Sequence, residues 1–319
     1  MNVQTKPSAL DPAALPPFSR NPLNDVPYRS IADVEAFESV PLAERLPLKN
    51  FAALLQRGMA ARNQSDTAIH YIEDGRIETE AQTTSFAELR DRIDRMSALL
   101  RANGIGDGDV VAILLPALPQ AFWAIIGAMS TGIAFPINWM LEADHLYHLV
   151  AQSKAKAVVA LGPTPGFKIW EGVTSFAKDL PAGIPIWSVP GPGGTVLPDS
   201  DLDTQLAKIP AAAVAAARPI ISTGIAAYLH SGGTTGVPKI IQLSHLNIAY
   251  RHWALEFALK QECGEVIIHD TPMFHSGGLT GRVLPPMASG ASVVIPSPIG
   301  ARDRTYMGSY WKFIEKYRV

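Results

Sequence analysis

Residues 228–239 read YLHSGGTTGVPK. Ser231, Gly232, Gly233, Thr234, Thr235 and Gly236 form an unbroken run of small residues, and Lys239 follows three positions later. Such a run gathers bare backbone N–H groups and short hydroxyls without side-chain bulk. Glycine permits the conformations in which successive N–H groups point inward. The resulting chemistry is that of an anion nest suited to phosphate oxygens, and Lys239 could add a positive charge. A glycine-rich hairpin that binds nothing fits the same composition. The pattern is not the P-loop, which needs Gly-Lys-Ser/Thr running into a helix. Here Pro238 precedes the lysine and the β-branched run KIIQL follows. The loop should therefore join two strands, without the usual help of a helix N-terminus.

Other candidate groups are weaker. His275 stands beside a second glycine-rich stretch, HSGGLTG. His269 and Asp270 are adjacent in an apparent strand, so their side chains should point to opposite faces and not share a metal. His245 reads as a packing residue at a helix start. Cys263 is the single cysteine, which excludes an intrachain disulfide and suits a reducing, cytoplasmic compartment. It reads as a small buried apolar residue, not as a catalytic thiol.

The elements that would hold these groups alternate along the chain. SFAELRDRIDRMSALLRANG carries a capping box at Ser85 and Glu88, an apolar stripe through Leu89, Ile93, Met96, Leu99 and Leu100, and Gly104 to end it. GIGDGD after it is no dinucleotide fingerprint, because it precedes a strand instead of following one. VVAILL, IAFPI, AKAVVAL and IPIWSV read as strands. Residues 119–131, 142–155 and 167–180 read as the helices between them. Strands alternating with helices imply layered, mainly parallel sheets flanked by helices, an α/β fold. Asp74-Gly75 reads as a hairpin turn. After residue 190 the pattern dissolves into PGPGG, a turn or linker, and the low-complexity AAAVAAARP, a short exposed helix or loop. It resumes with IAAYLH, the small-residue loop, KIIQL, a helix over 244–260, the strand EVIIHDTPMF, the strand ASVVIPS and a final helix over 304–319. The expected organisation is a loosely ordered arm over 1–28, a first α/β subdomain over 29–220, and the start of a second over 221–319.

Composition narrows the partners. The chain has 319 residues, 47% apolar and 18% charged, enough for a large core. The 27 basic and 29 acidic residues give a net charge of −2, so no global field points at nucleic acid. Val110–Leu141 carries no charge, but Pro116, Pro119, Gly127, Gly132 and Pro136 divide it into pieces too short to span a bilayer. Peripheral membrane contact stays open.

SGGTTGVPK resembles the signature loop of the adenylate-forming superfamily, which includes acyl-CoA synthetases, aryl-CoA ligases, luciferases and the adenylation domains of peptide synthetases. The match runs from Gly233 through Lys239. It departs at His230, where an aromatic is common, and at Gly232, where serine is common. The HSGG form is similar to a fatty-acyl-CoA synthetase subgroup. TSFAELR through PIN, LSHLN, TPMFHSGGL and YWKFIEKYRV resemble further family segments in the same order, over roughly residues 30–319.

The resemblance implies the N-terminal part of an AMP-forming acyl-CoA synthetase. Its substrates would be a carboxylate, in this subgroup a fatty acid, together with ATP, Mg²⁺ and coenzyme A. The acid attacks the α-phosphate to give an acyl-adenylate and pyrophosphate, and the thiol then displaces AMP. By the same resemblance, residues 231–236 hold the ATP phosphates, Lys239 anchors their loop and His275 lines the acyl pocket. A histidine that only caps the Gly277-Gly278 turn is the alternative for His275. The family's Tyr-Gly-x-Thr-Glu and Thr-Gly-Asp motifs are not in the sequence, nor is the C-terminal domain with its lysine. The expectation is a catalytically incomplete chain that binds ATP weakly at best, with an unfinished sheet prone to self-association. Two other readings stay open: a non-catalytic remnant that binds nucleotide or a partner chain, and a peptide-synthetase adenylation domain.

Overall fold

A computed structural model describes residues 29–41, 44, 46, 48–216, 224–231, 238–259 and 261–319. The proposed arm over 1–28 and the loop residues Gly232, Gly233, Thr234, Thr235 and Gly236 lie outside the described residues.

The larger sheet has six strands in the order β6-β5-β3-β4-β7-β8. They are β3 (Val110–Leu114), β4 (Ile133–Pro136), β5 (Ala157–Leu161), β6 (Ile186–Val189), β7 (Ile225–His230) and β8 (Ile240–Ser244). Only β8 runs antiparallel, against β7. Every residue of β3, β4 and β5 is buried. Strands covered on both faces lose the polar alternation of a half-exposed sheet, which is why VVAIL, IAFP and AVVAL read as continuous apolar runs. The smaller sheet has the order β2-β1-β10-β9, from β1 (Thr67–Tyr71), β2 (Gln82–Ser85), β9 (Val266–Ile268) and β10 (Ser292–Ile295). Each sheet draws strands from both sides of residue 220, so the segment break there is not a break between sheets.

The helices are α1 (Ile31–Glu38), α2 (Phe51–Ala60), α3 (Phe86–Ala102), α4 (Pro119–Met129), α5 (Ala143–Gln152), α6 (Ile169–Phe176), α7 (Leu202–Ala207), α8 (Ala211–Ala216), α9 (His245–Leu259), α10 (Leu284–Ala288), α11 (Arg304–Gly308) and α12 (Tyr310–Tyr317). The Ser85–Glu88 capping box starts α3 as expected, with Glu88 N–H donating to Ser85 Oγ at 3.2 Å and Ser85 N–H donating to Glu88 Oε2 at 2.8 Å. Gly104 takes the left-handed conformation that ends it, at φ +73°.

Some expectations are corrected. The partner of β1 is Gln82–Ser85, not the residues just after Gly75, so the turn at Asp74-Gly75 is only part of a longer connection. The stretch after residue 190 also holds α7, whose N-cap Asp201 accepts from Thr204 N–H, and AAAVAAARP starts as the short helix α8, one of the two forms expected of it. The glycine-rich stretch HSGGLTG is partly helical, with Gly278–Val283 a π-helical turn leading directly into α10. Gly278 is required there, because a Cβ would overlap the Pro272 carbonyl. The strand over EVIIHDTPMF shrinks to three residues, and the final helix breaks at Ser309. Cys263 is exposed, not buried. No described helix is long and apolar enough to cross a membrane.

Candidate functional site

In parallel α/β sheets ligands bind beyond the carboxyl ends of the strands, and of the sequence-flagged residues Ser231, just past β7, and His269 and Asp270, just past β9, lie there, whereas His245 lies at the opposite end of its sheet. β7 and β8 form a hairpin whose neck closes just past His230. Ser231 N–H donates to the Lys239 carbonyl at 2.9 Å, and Lys239 N–H donates to Ser231 Oγ at 3.0 Å. Pro238 is buried beside the neck, while the Lys239 side chain is exposed. The loop therefore joins two strands, and Lys239 fixes its base through the backbone.

The segment after β8 explains the LSHLN motif. Asn247 Oδ1 accepts from Ser244 N–H at 2.9 Å and from Ser244 Oγ at 2.8 Å, and Asn247 N–H donates back to Ser244 Oγ at 3.1 Å. This is a capping box with asparagine in place of glutamate. It fixes the start of α9 directly after the strand that returns from the loop. His245 is buried in that first turn, and burial pulls its imidazole down to about 4.

His230 was noted in the sequence only as a departure from the usual aromatic. In the structure its ring joins three elements. Nε2 accepts the Asn138 N–H at 3.0 Å, from the turn that follows β4. Nδ1 lies 3.2 Å from the Ser231 carbonyl. Together the contacts require one neutral tautomer, with the proton on Nδ1. The ring also stacks on Phe274, with centroids 6.3 Å apart and planes at 19°, and meets Phe135 edge-on at 6.3 Å. Burial lowers the basicity of His230, and the Ser231 carbonyl partly restores it.

Phe274 carries the chain to His275, which is exposed. The Nδ1 of His275 accepts the Gly277 N–H at 3.1 Å. The ring thus does cap the turn before the π-helix, and in its neutral form it presents Nε2–H outward. The capping and pocket-lining readings of His275 are therefore compatible.

His269 and Asp270 do point apart. His269 is buried edge-on to Phe122 at 5.7 Å, and burial drives its imidazole down to about 3. Asp270 Oδ2 accepts the Tyr306 hydroxyl at 2.9 Å. The two sheets meet at these ends: Ala117 N–H, beyond β3, donates to the Pro298 carbonyl, beyond β10, at 2.9 Å. A narrow cleft between them is lined by Leu115, Pro116, Trp139, Asp270, Thr271 and Pro298. Among the described residues no three His, Cys, Asp or Glu side chains gather as a metal site.

Comparisons with known proteins agree with this arrangement. The profile of the AMP-binding enzyme family matches residues 57–319. A marinolic acid–CoA ligase from Pseudoalteromonas sp. (strain SANK 73390) is 26% identical over 98% of this chain and 48% of its own length. Long-chain fatty acid transport protein 3 from Homo sapiens is 30% identical over 67% of this chain and 30% of its own length. The crystal structure of ATP-bound MatB from Rhodopseudomonas palustris shares the fold, with a TM-score of 0.63 at 23% identity, over 78% of this chain and 46% of that one. The chain thus spans half or less of the length of these relatives.

Proposed function

The chain belongs to the AMP-binding enzyme family, and from that premise we propose that it is the N-terminal part of an AMP-forming acyl-CoA synthetase acting on a fatty acid. The reaction joins a carboxylate to the α-phosphate of ATP, expels pyrophosphate, and then passes the acyl group to the thiol of coenzyme A. The supporting observation is the closed neck at Ser231 and Lys239. It holds Ser231 and Lys239, the two ends of the loop, just past the end of β7, where the neighbouring ring of His230 stacks on Phe274, the residue before His275.

In this reading Ser231, Gly232, Gly233, Thr234, Thr235 and Gly236 hold the phosphates, chiefly the departing pyrophosphate, through N–H groups and hydroxyls. Donors aimed at phosphate oxygens stabilise the charge that builds during transfer. Lys239 anchors the base of the loop. His275 lies near the carboxylate, and its outward Nε2–H would orient it. The Mg²⁺ that accompanies ATP in such reactions finds no cluster of ligands among the described residues, so none is assigned to it. Peripheral membrane contact and a cytoplasmic setting suit an apolar acyl substrate and a single exposed cysteine.

The test is a titration of the purified chain with ATP, AMP and pyrophosphate, followed by NMR of uniformly labelled protein. ATP and pyrophosphate should move the amide signals of residues 231–239, and Thr235→Ala should weaken both. AMP alone should move them far less. Fatty acids of graded length should shift signals near His275. Equal responses to all three phosphates, or none, would sink the assignment of the loop.

A further inference from the structure

The geometry points to His230 as the positioning residue that sets the phosphate loop against the β4 turn and the Phe274–His275 segment. The inference rests on the phosphate-binding reading of the loop and deepens it. A parallel ladder between β4 and β7 would continue with main-chain rungs. Beyond Ala134 and Ala227, whose Cα atoms are register partners, an imidazole supplies the connection. The Asn138 N–H donates to Nε2 of His230 at 3.0 Å, where a carbonyl would otherwise be needed. The same ring turns its Nδ1–H back to the carbonyl of Ser231, the first residue of the neck.

Three consequences follow from that placement. The first residue of the loop is tied, through one rigid ring, to a turn that two other bonds already fix. Ile137 N–H donates to the Ile113 carbonyl at 2.9 Å, and Met140 N–H donates to Asn138 Oδ1 at 3.1 Å. The ring's flat face supports Phe274, so the segment leading to His275 is referenced to the same turn. Finally, a phenyl ring at position 230 could keep the stacks but could not accept the Asn138 N–H, which would lose its partner. The usual aromatic and this histidine therefore fill the position by different physics. The effect of His230 passes through the neck.

The variants His230→Gln, His230→Asn and His230→Phe separate the roles. Glutamine carries an oxygen about as far from the backbone as Nε2 and can still accept from Asn138. Asparagine reaches only as far as Nδ1. Phenylalanine keeps the stack alone. Nitrogen-15 imidazole spectra of the wild-type chain should show His230 with a protonated Nδ1 and an unprotonated Nε2. Exchange of the Asn138 amide should be slow in wild type and in His230→Gln, and faster in the other two. Pyrophosphate, used as the probe, should bind His230→Gln within about threefold of wild type and His230→Phe about tenfold more weakly, the loss expected from one buried hydrogen bond. The opposite tautomer, or equal binding and equal Asn138 exchange in all four proteins, would overturn the proposal. If wild type binds no pyrophosphate, the phosphate reading fails, and the tautomer and the Asn138 exchange still decide whether the ring holds the turn.

Discussion

The centre of the six-stranded sheet and the layer between α2 and α9 are both buried, and they are built on opposite terms. Around β3, β4 and β5 the interior is almost wholly apolar, with Phe122, Phe135 and Leu114 fully enclosed. Between α2 and α9 the enclosed residues include Arg57, His252, Glu256 and Gln261, each less than 8% exposed. His252 and Glu256 occupy the same buried stripe of α9 as Ile248 and Ala249, so the helical period that buries the apolar groups buries the charges with them. Enclosed ionisable groups carry a desolvation cost that close partners only partly offset. His252 Nε2 lies 3.8 Å from Glu256 Oε2. Burial nevertheless dominates both, pulling the imidazole down to about 3 and lifting the carboxyl to about 7. Between about pH 3 and about pH 7 the two groups meet uncharged. The first region is stabilised chiefly by apolar packing, with His269 the buried titratable group against Phe122, whereas the second gathers several buried ionisable groups.

The largest expected effect tests the first term of that contrast. Phe122 is fully enclosed in α4 and lies edge-on to His269. Phe122→Ala should lower unfolding free energy by about 3–5 kcal/mol in a denaturant titration, through lost burial and a residual cavity. The loss should not vary with pH by more than the small change expected from re-exposing His269. A loss below about 1 kcal/mol would mean that this interior can collapse around the gap, and the contrast would weaken.

The second effect tests the proton sensitivity. A group that is harder to protonate when folded adds stability as pH rises through the interval between its two values, because the unfolded chain holds the extra proton. His245, His252 and His269, at about 4, 3 and 3, act in this direction up to their ordinary value near 6.5. Glu256 acts in the opposite direction. Its folded form keeps a proton from about 4.5 up to about 7, so its contribution falls as pH rises through that window. Glu256→Gln should therefore steepen the rise of stability between pH 4.5 and 6.5 by one proton, about 1.4 kcal/mol per pH unit at most. His252→Gln should flatten it by a similar amount. Parallel stability–pH curves for wild type and Glu256→Gln would show that the carboxyl is not held neutral.

The same contrast explains what could be read from the sequence. Buried strands announce themselves as unbroken apolar runs, so β3, β4 and β5 were legible, as was α3 with its capping box and stripe. The neck of the loop was legible as a join between strands because Pro238 and a β-branched run exclude a helix there. The π-helical turn was not, because Gly277 and Gly278 look like loop residues. Gly278 is there for a close approach to the Pro272 carbonyl, a contact that only the fold reveals. Nor was the connecting role of His230, since the Asn138 N–H it accepts lies 92 residues away in sequence. The one available signal was its departure from the usual aromatic. The polar layer was hidden for a similar reason: His252 and Glu256 are four apart, a spacing that suits an exposed helical pair equally well.

The smallest effect sharpens the comparison by holding the motif constant and changing only the packing. Two capping boxes with the same chemistry start α3 and α1. Ser85 pairs with Glu88, and Ser30 pairs with Asp33. α3 buries eight residues, from Phe86 to Leu100, whereas α1 buries none and meets the body through the stack of Phe37 on Trp253 at 6.0 Å. Ser85→Ala should lower global stability by about 1 kcal/mol, the usual loss of an N-cap, because α3 cannot fray without opening the core. Ser30→Ala removes an equal bond, yet α1 can open by itself. Its global unfolding curve should overlay that of wild type, while amide exchange over residues 31–38 becomes faster. If Ser30→Ala shifted the global midpoint as far as Ser85→Ala does, α1 would belong to the cooperative unit, and its contacts with the body would hold far more than its exposed surface suggests.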